Sequence, residues 1–62
     1  MDLEIGKRYK VLKKSFNYRV GDRDYKGRLV VLTDELAIFD RGYYRTTEML
    51  KEYQKLWSVK KL

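Results

Sequence analysis

Cysteine, histidine and proline are all missing from this sequence. Without cysteine no disulfide can staple the fold. With histidine gone as well, the tetrahedral zinc sites and thiol chemistry that support many very small domains are excluded. Ser15 and Ser58 have no imidazole to activate them, so the usual nucleophile and base pairs are unavailable. Apolar runs are short: Leu29 to Leu32 falls far below the roughly 18 residues that span a bilayer. Met1-Asp2-Leu3-Glu4 lacks the basic and apolar regions of a secretory leader, and the expectation is a cytoplasmic protein without a membrane partner.

Sequence motifs for catalysis are equally scarce. Asp22, Asp24, Asp34, Glu35 and Asp40 are the carboxylates that an acid–base pair would have to use. All five fall at turns or strand ends, where solvated caps are the ordinary role. No glycine-rich phosphate loop occurs, and Asp22 with Asp24 is too short a ligand set for a calcium loop. The expectation is a protein that is not an enzyme and needs no cofactor.

What is present is a short chain rich in aromatic and basic residues. Its 62 residues indicate one domain, 1–62, and 44% hydrophobic with 15% aromatic content is too rich for a solvated tail. A domain of this size buries only about 60% of the surface its unfolded chain exposes, so nearly every large apolar side chain must be used. Self-association into a homo-oligomer would add to that burial. The net charge of +6 is uneven: residues 1–28 carry +5, residues 29–50 carry −2 and residues 51–62 carry +3. A sheet that brings both ends of the chain onto one face would gather this charge into a field attractive to phosphates or acidic proteins. Solubility alone would also account for it.

A period of two marks strands at 7–12 (KRYKVL), 16–20 (FNYRV), 25–32 (YKGRLVVL), 36–40 (LAIFD) and 43–46 (YYRT). Gly27 inside the third run signals a bulge, a bend or a close backbone approach. Arg41-Gly42 turns the chain, with glycine supplying a positive φ. From Thr46 the period changes to 3.6: Met49, Leu50, Tyr53, Leu56 and Trp57 share one arc, which predicts an amphipathic helix over 47–57. Residues 58–62 either add a short strand or fray.

The run YKGRLVVLTDELAIF resembles the central hairpin of SH3-like and Sm-like small barrels, and its extension through DRGYYRTT resembles short uncharacterised proteins of Gram-positive phages and mobile elements. Its acid, Asp34, comes one position late for the Sm pattern, Leu36-Ala37 replaces the expected asparagine region, and the helix is C-terminal instead of first. The resemblance therefore implies a barrel and no residue roles. The expected fold is α+β: a small antiparallel sheet or partly open SH3-like barrel of four to five strands with one C-terminal amphipathic helix. A three-stranded sheet with a helix, as in integrase arm-binding domains, is the rival. The expected core is Tyr9, Val11, Phe16, Tyr18, Leu29, Val31, Leu36, Ile38, Met49, Tyr53, Leu56 and Trp57.

Basic residues alternate with tyrosines at Arg8-Tyr9-Lys10, Tyr18-Arg19, Tyr25-Lys26 and Tyr43-Tyr44-Arg45. Rings that stack on bases beside cations that meet phosphates are the chemistry of nucleic-acid binding. The same alternation arises in any strand with core tyrosine and surface lysine. On this reading Lys7, Arg8, Lys10, Arg19, Lys26, Arg28, Tyr43 and Arg45 contact DNA or RNA. In an extended YYRT, Tyr43 and Arg45 share one face and Tyr44 and Thr46 the other; the burial cost of a guanidinium favours Tyr43 and Arg45 outside, and the alternative leaves Tyr44 as the exposed ring. The alternative partner is an acidic protein, engaged by a small binding module or inhibitor.

Overall fold

A computed structural model of the chain describes residues 3–14 and 24–62. Strands β1 (Arg8–Lys13), β2 (Tyr25–Leu32), β3 (Leu36–Asp40), β4 (Arg45–Met49) and β5 (Trp57–Lys61) form one sheet in the order β4-β3-β2-β1-β5. Every neighbouring pair is antiparallel. The α+β expectation is thereby overturned: among the described residues the fold is all-β, and its helical element is the 3₁₀ turn Leu50–Glu52. Phe16, Tyr18 and the strand expected at 16–20 lie outside the described residues.

The helix expected over 47–57 is replaced by three elements. β4 runs on to Met49, the 3₁₀ turn follows, and β5 begins at Trp57. A 3₁₀ turn places residues i and i+3 on one side just as an α-helix does. Leu50 and Tyr53 thus satisfy the helical spacing while packing on the core in a single turn. Met49 and Leu56, expected to be buried, are exposed. Gln54 takes the left-handed conformation at φ 70°, and its N–H donates to Trp57 O at 2.7 Å, reversing the chain into β5. Residues 57–61 then saturate the free edge of β1, a gain that a helix ending at 57 would not provide.

The core consists of Leu3, Tyr9, Val11, Tyr25, Leu29, Ala37, Phe39 and Trp57. Phe39 is its centre, edge-on to the rings of Tyr9, Tyr25 and Trp57 at centroid distances of 6.0 to 6.3 Å. Leu36, Ile38 and Val31 were expected inside but are half-buried on the other face. LAIFD is apolar throughout, so either parity was open to it, and the larger Phe39 takes the inner position. A register shift between Leu29 and Val31 then inserts a residue into β2. That shift turns Val31 outward and brings Leu32 in, since one extra residue reverses the alternation.

The sheet curls until its two outermost strands meet at one end. There the Trp57 indole N–H donates to the Met49 carbonyl at 2.8 Å, joining β5 to β4. Gly27 permits the curl: a Cβ there would stand 3.1 Å from both Asp40 O and Phe39 Cβ.

Candidate nucleic-acid interface

Strand alternation sends Tyr9, Val11, Tyr25 and Leu29 inward and therefore Arg8, Lys10, Lys26 and Arg28 outward. The antiparallel register then sets like charges opposite one another: Arg8 faces Arg28, and Lys10 faces Lys26. The Leu29 N–H donates to Lys7 O at 3.0 Å. By alternation this makes 8–28 and 10–26 the non-hydrogen-bonded pairs, where Cα atoms approach to about 4.5 Å and side chains are closest. On the other flank Lys10 faces Lys60 of β5. One row across the outer face is thus Lys60–Lys10–Lys26. The next is Arg8–Arg28–Asp40–Arg45, with Asp40 its single carboxylate.

Like charges directly opposite across strands destabilise a sheet. Among the described residues the one ion pair within 4 Å is Lys13–Glu48, which lies on the inner face, so no described carboxylate closes on the outer cations. Asp40 is itself engaged, its Oδ1 accepting from the Gly42 N–H at 2.8 Å.

Of the residues expected to contact nucleic acid, Arg8, Lys10, Lys26, Arg28 and Arg45 come together on this face. Lys7 is exposed but precedes β1 with the parity of Tyr9, off the two rows. Arg19 lies outside the described residues. Tyr43 is fully exposed, though not in a strand: β4 begins only at Arg45, and Tyr43 and Tyr44 belong to the β3–β4 turn, closed by Arg41 N–H to Tyr44 O at 2.9 Å and by Gly42 at φ 102°. Tyr44 is 56% exposed, so the inward position expected for it is replaced by a place on the turn. Thr46 does point to the inner side, opposite Phe39.

Two cations were missed. Lys60 follows from alternation once residues 57–61 are taken as a strand. Arg41 has no periodic signal, because it sits on the turn. Its guanidinium lies between two rings, 4.3 Å from the Tyr25 centroid and 4.7 Å from that of Tyr44. Its stem passes Gly27, where a Cβ would stand 3.6 Å from Arg41 Cγ, an ordinary contact. That stack is on the inner side, where Tyr25 points; across the sheet Arg8, Lys26, Gly27, Arg28, Asp40, Arg41 and Gly42 line a shallow depression of about 360 Å³.

Behind this site Glu48, buried, accepts hydrogen bonds from the Tyr25 hydroxyl at 2.6 Å and from Lys13 Nζ at 2.5 Å. Burial first, and then the Glu48 contact, push the Tyr25 hydroxyl far above its ordinary range and keep it protonated. Among the described residues no three carboxylates gather where they would hold a metal ion, and no helix is long and apolar enough to cross a membrane.

The fold and its outer face define a small all-β protein with a basic sheet surface. No family model, curated protein or solved structure matches the chain.

Proposed function

We propose that this is a non-enzymatic, cytoplasmic nucleic-acid-binding protein that holds phosphate backbones against the outer face of β5, β1 and β2. The register that sets Arg8 against Arg28 and Lys10 against both Lys26 and Lys60 carries the reading. These pairs cost stability in the free protein, and a polyanion relieves the repulsion. Tyr9, Tyr25, Phe39 and Trp57 all face the core, so the basic strands present cations without rings. That surface fits backbone contacts, and Tyr43 on the adjoining turn is the ring available to a base.

Titration with mixed-sequence DNA and RNA oligonucleotides at several salt concentrations tests this. If Arg8, Lys10, Lys26, Arg28 and Lys60 each meet one phosphate, log K falls against log salt with a slope of roughly −4.5 for duplex DNA, and each alanine variant flattens it by about 1. No binding even at low salt overturns the reading. A partner recovered from nuclease-treated lysate would then favour the acidic-protein module.

A further inference from the structure

We propose that the open edge of β4 pairs with the β4 edge of a second copy of this chain, joining two sheets about a two-fold axis at Thr46. The pairing uses the backbone of the edge and stands independently of the nucleic-acid reading of the outer face.

An outermost strand presents the N–H and C=O groups that its single neighbour does not use. On β4 the register fixes which these are. The Arg41 N–H donates to Tyr44 O and the Leu50 N–H to Glu35 O, both at 2.9 Å. With Asp40 opposite Arg45 and Leu36 opposite Met49, alternation turns the backbone groups of Thr46 and Glu48 toward β3 and those of Arg45, Thr47 and Met49 away from it. The Met49 carbonyl is taken by the Trp57 indole at 2.8 Å. Among the described residues no backbone group bonds the outward N–H and C=O of Arg45 and Thr47.

Those groups match themselves in one register. Opposite residues of an antiparallel pair share a face, so a two-fold between two β4 strands must fall at a residue. At Arg45 it would set two guanidinium groups against each other, which destabilises the pair. At Thr47 it would call on the Met49 carbonyl already bonded to Trp57. At Thr46 it sets Arg45 of each copy opposite Thr47 of the other, and the two pairs exchange backbone hydrogen bonds through the groups left unused. Thr46 then faces its own copy, a favourable cross-strand pair, and Met49, 37% exposed, is carried to the β3–β4 turn of the other copy.

The other edge of the sheet is guarded. The Lys14 N–H donates to Leu56 O at 2.7 Å and the Leu62 N–H to Arg8 O at 3.4 Å, so on β5 the outward groups belong to Trp57, Val59 and Lys61. A two-fold at Lys60 would oppose two ammonium groups, and one at Val59 would call on the Trp57 carbonyl, which accepts from the Gln54 N–H at 2.7 Å. Exposed Lys60 and Lys61 are the residues that keep edge strands from pairing. β4 has a single cation, Arg45, which the Thr46 register places opposite a threonine.

Sedimentation equilibrium of nucleic-acid-free protein over a range of concentrations, with amide hydrogen exchange on the same samples, tests the pairing. The mass is expected to rise with concentration from 7.6 kDa toward twice that value. Because each copy carries +6, added salt should strengthen the association, opposite to its effect on polyanion binding. The Arg45 and Thr47 amides should slow roughly tenfold once about nine chains in ten are paired, while those of Val59 and Lys61 stay fast. Thr47→Pro removes an N–H that the single sheet does not use, as edge strands tolerate, and should keep the melting temperature while remaining a monomer throughout. A monomer at every concentration overturns the proposal. So does a dimer that protects Val59 and Lys61 instead, or one that Thr47→Pro leaves intact. The wild-type exchange pattern decides the matter even if the proline loosens β4.

Discussion

Lys13 and Glu48, 35 positions apart in sequence, meet at 2.5 Å inside the curled sheet, Nζ to Oε1. The pair ties β1 to β4, which are not neighbours in the strand order. It is therefore a side-chain fastening across the interior. The Tyr25 hydroxyl completes the shell of Glu48 at 2.6 Å from Oε2, and no buried side-chain polar atom among the described residues lacks a partner.

Removing one member of this pair leaves the other charge uncompensated. Glu48 is only 5% exposed and Lys13 18%, and loss of one partner of a buried pair costs about 3 kcal/mol or more. Glu48→Ala is expected to lose about that much in urea denaturation. Lys13→Met combined with Glu48→Leu should recover much of it, because replacing both charges removes the desolvation cost with the attraction.

The raised Tyr25 hydroxyl makes stability depend on alkaline pH. Its folded value lies above the unfolded one, so the folded state holds the proton longer and stability must fall as pH rises. The contribution is complete below the unfolded tyrosine value of about 10 and is lost progressively above it. Denaturation midpoints measured up the alkaline range are expected to decline in the wild type and to decline less in Tyr25→Phe. Equal slopes in the two proteins would contradict this.

Gly27→Ala forces a methyl to within 3.1 Å of Asp40 O and Phe39 Cβ, one of them backbone. Overpacking of this kind costs about 1–3 kcal/mol. The same methyl would be in ordinary contact with Arg41 Cγ at 3.6 Å, so the loss is expected to read out as a lowered melting temperature.

The two turn tyrosines should separate binding from stability. Tyr43 is fully exposed, and Tyr43→Ala is expected to leave the melting temperature unchanged while weakening oligonucleotide binding. Tyr44→Ala removes one face of the Arg41 stack, and exposed cation–π contacts of this sort contribute about 0.5–1 kcal/mol. A measurable loss of stability is expected from Tyr44→Ala.

Strand alternation was enough to read β1, β2 and β3 almost to their ends, to place Arg8, Lys10, Lys26 and Arg28 outward, and to assign Trp57 to the core. Those properties are local, since the period of two and the size of an indole do not depend on what pairs with what. The stretch 47–57 was not legible, because Leu50 and Tyr53 fit a 3₁₀ turn as well as an α-helix, and only the unfilled edge of β1 selects the strand at 57–61. The inner face of LAIFD was equally open until Phe39 met Tyr9, Tyr25 and Trp57. Likewise the opposition of Lys10 to both Lys26 and Lys60, and the seating of Arg41 between two rings, are products of register and chain reversal. Composition supplied the charges, but only contacts between residues far apart in the chain could decide which of them stand side by side.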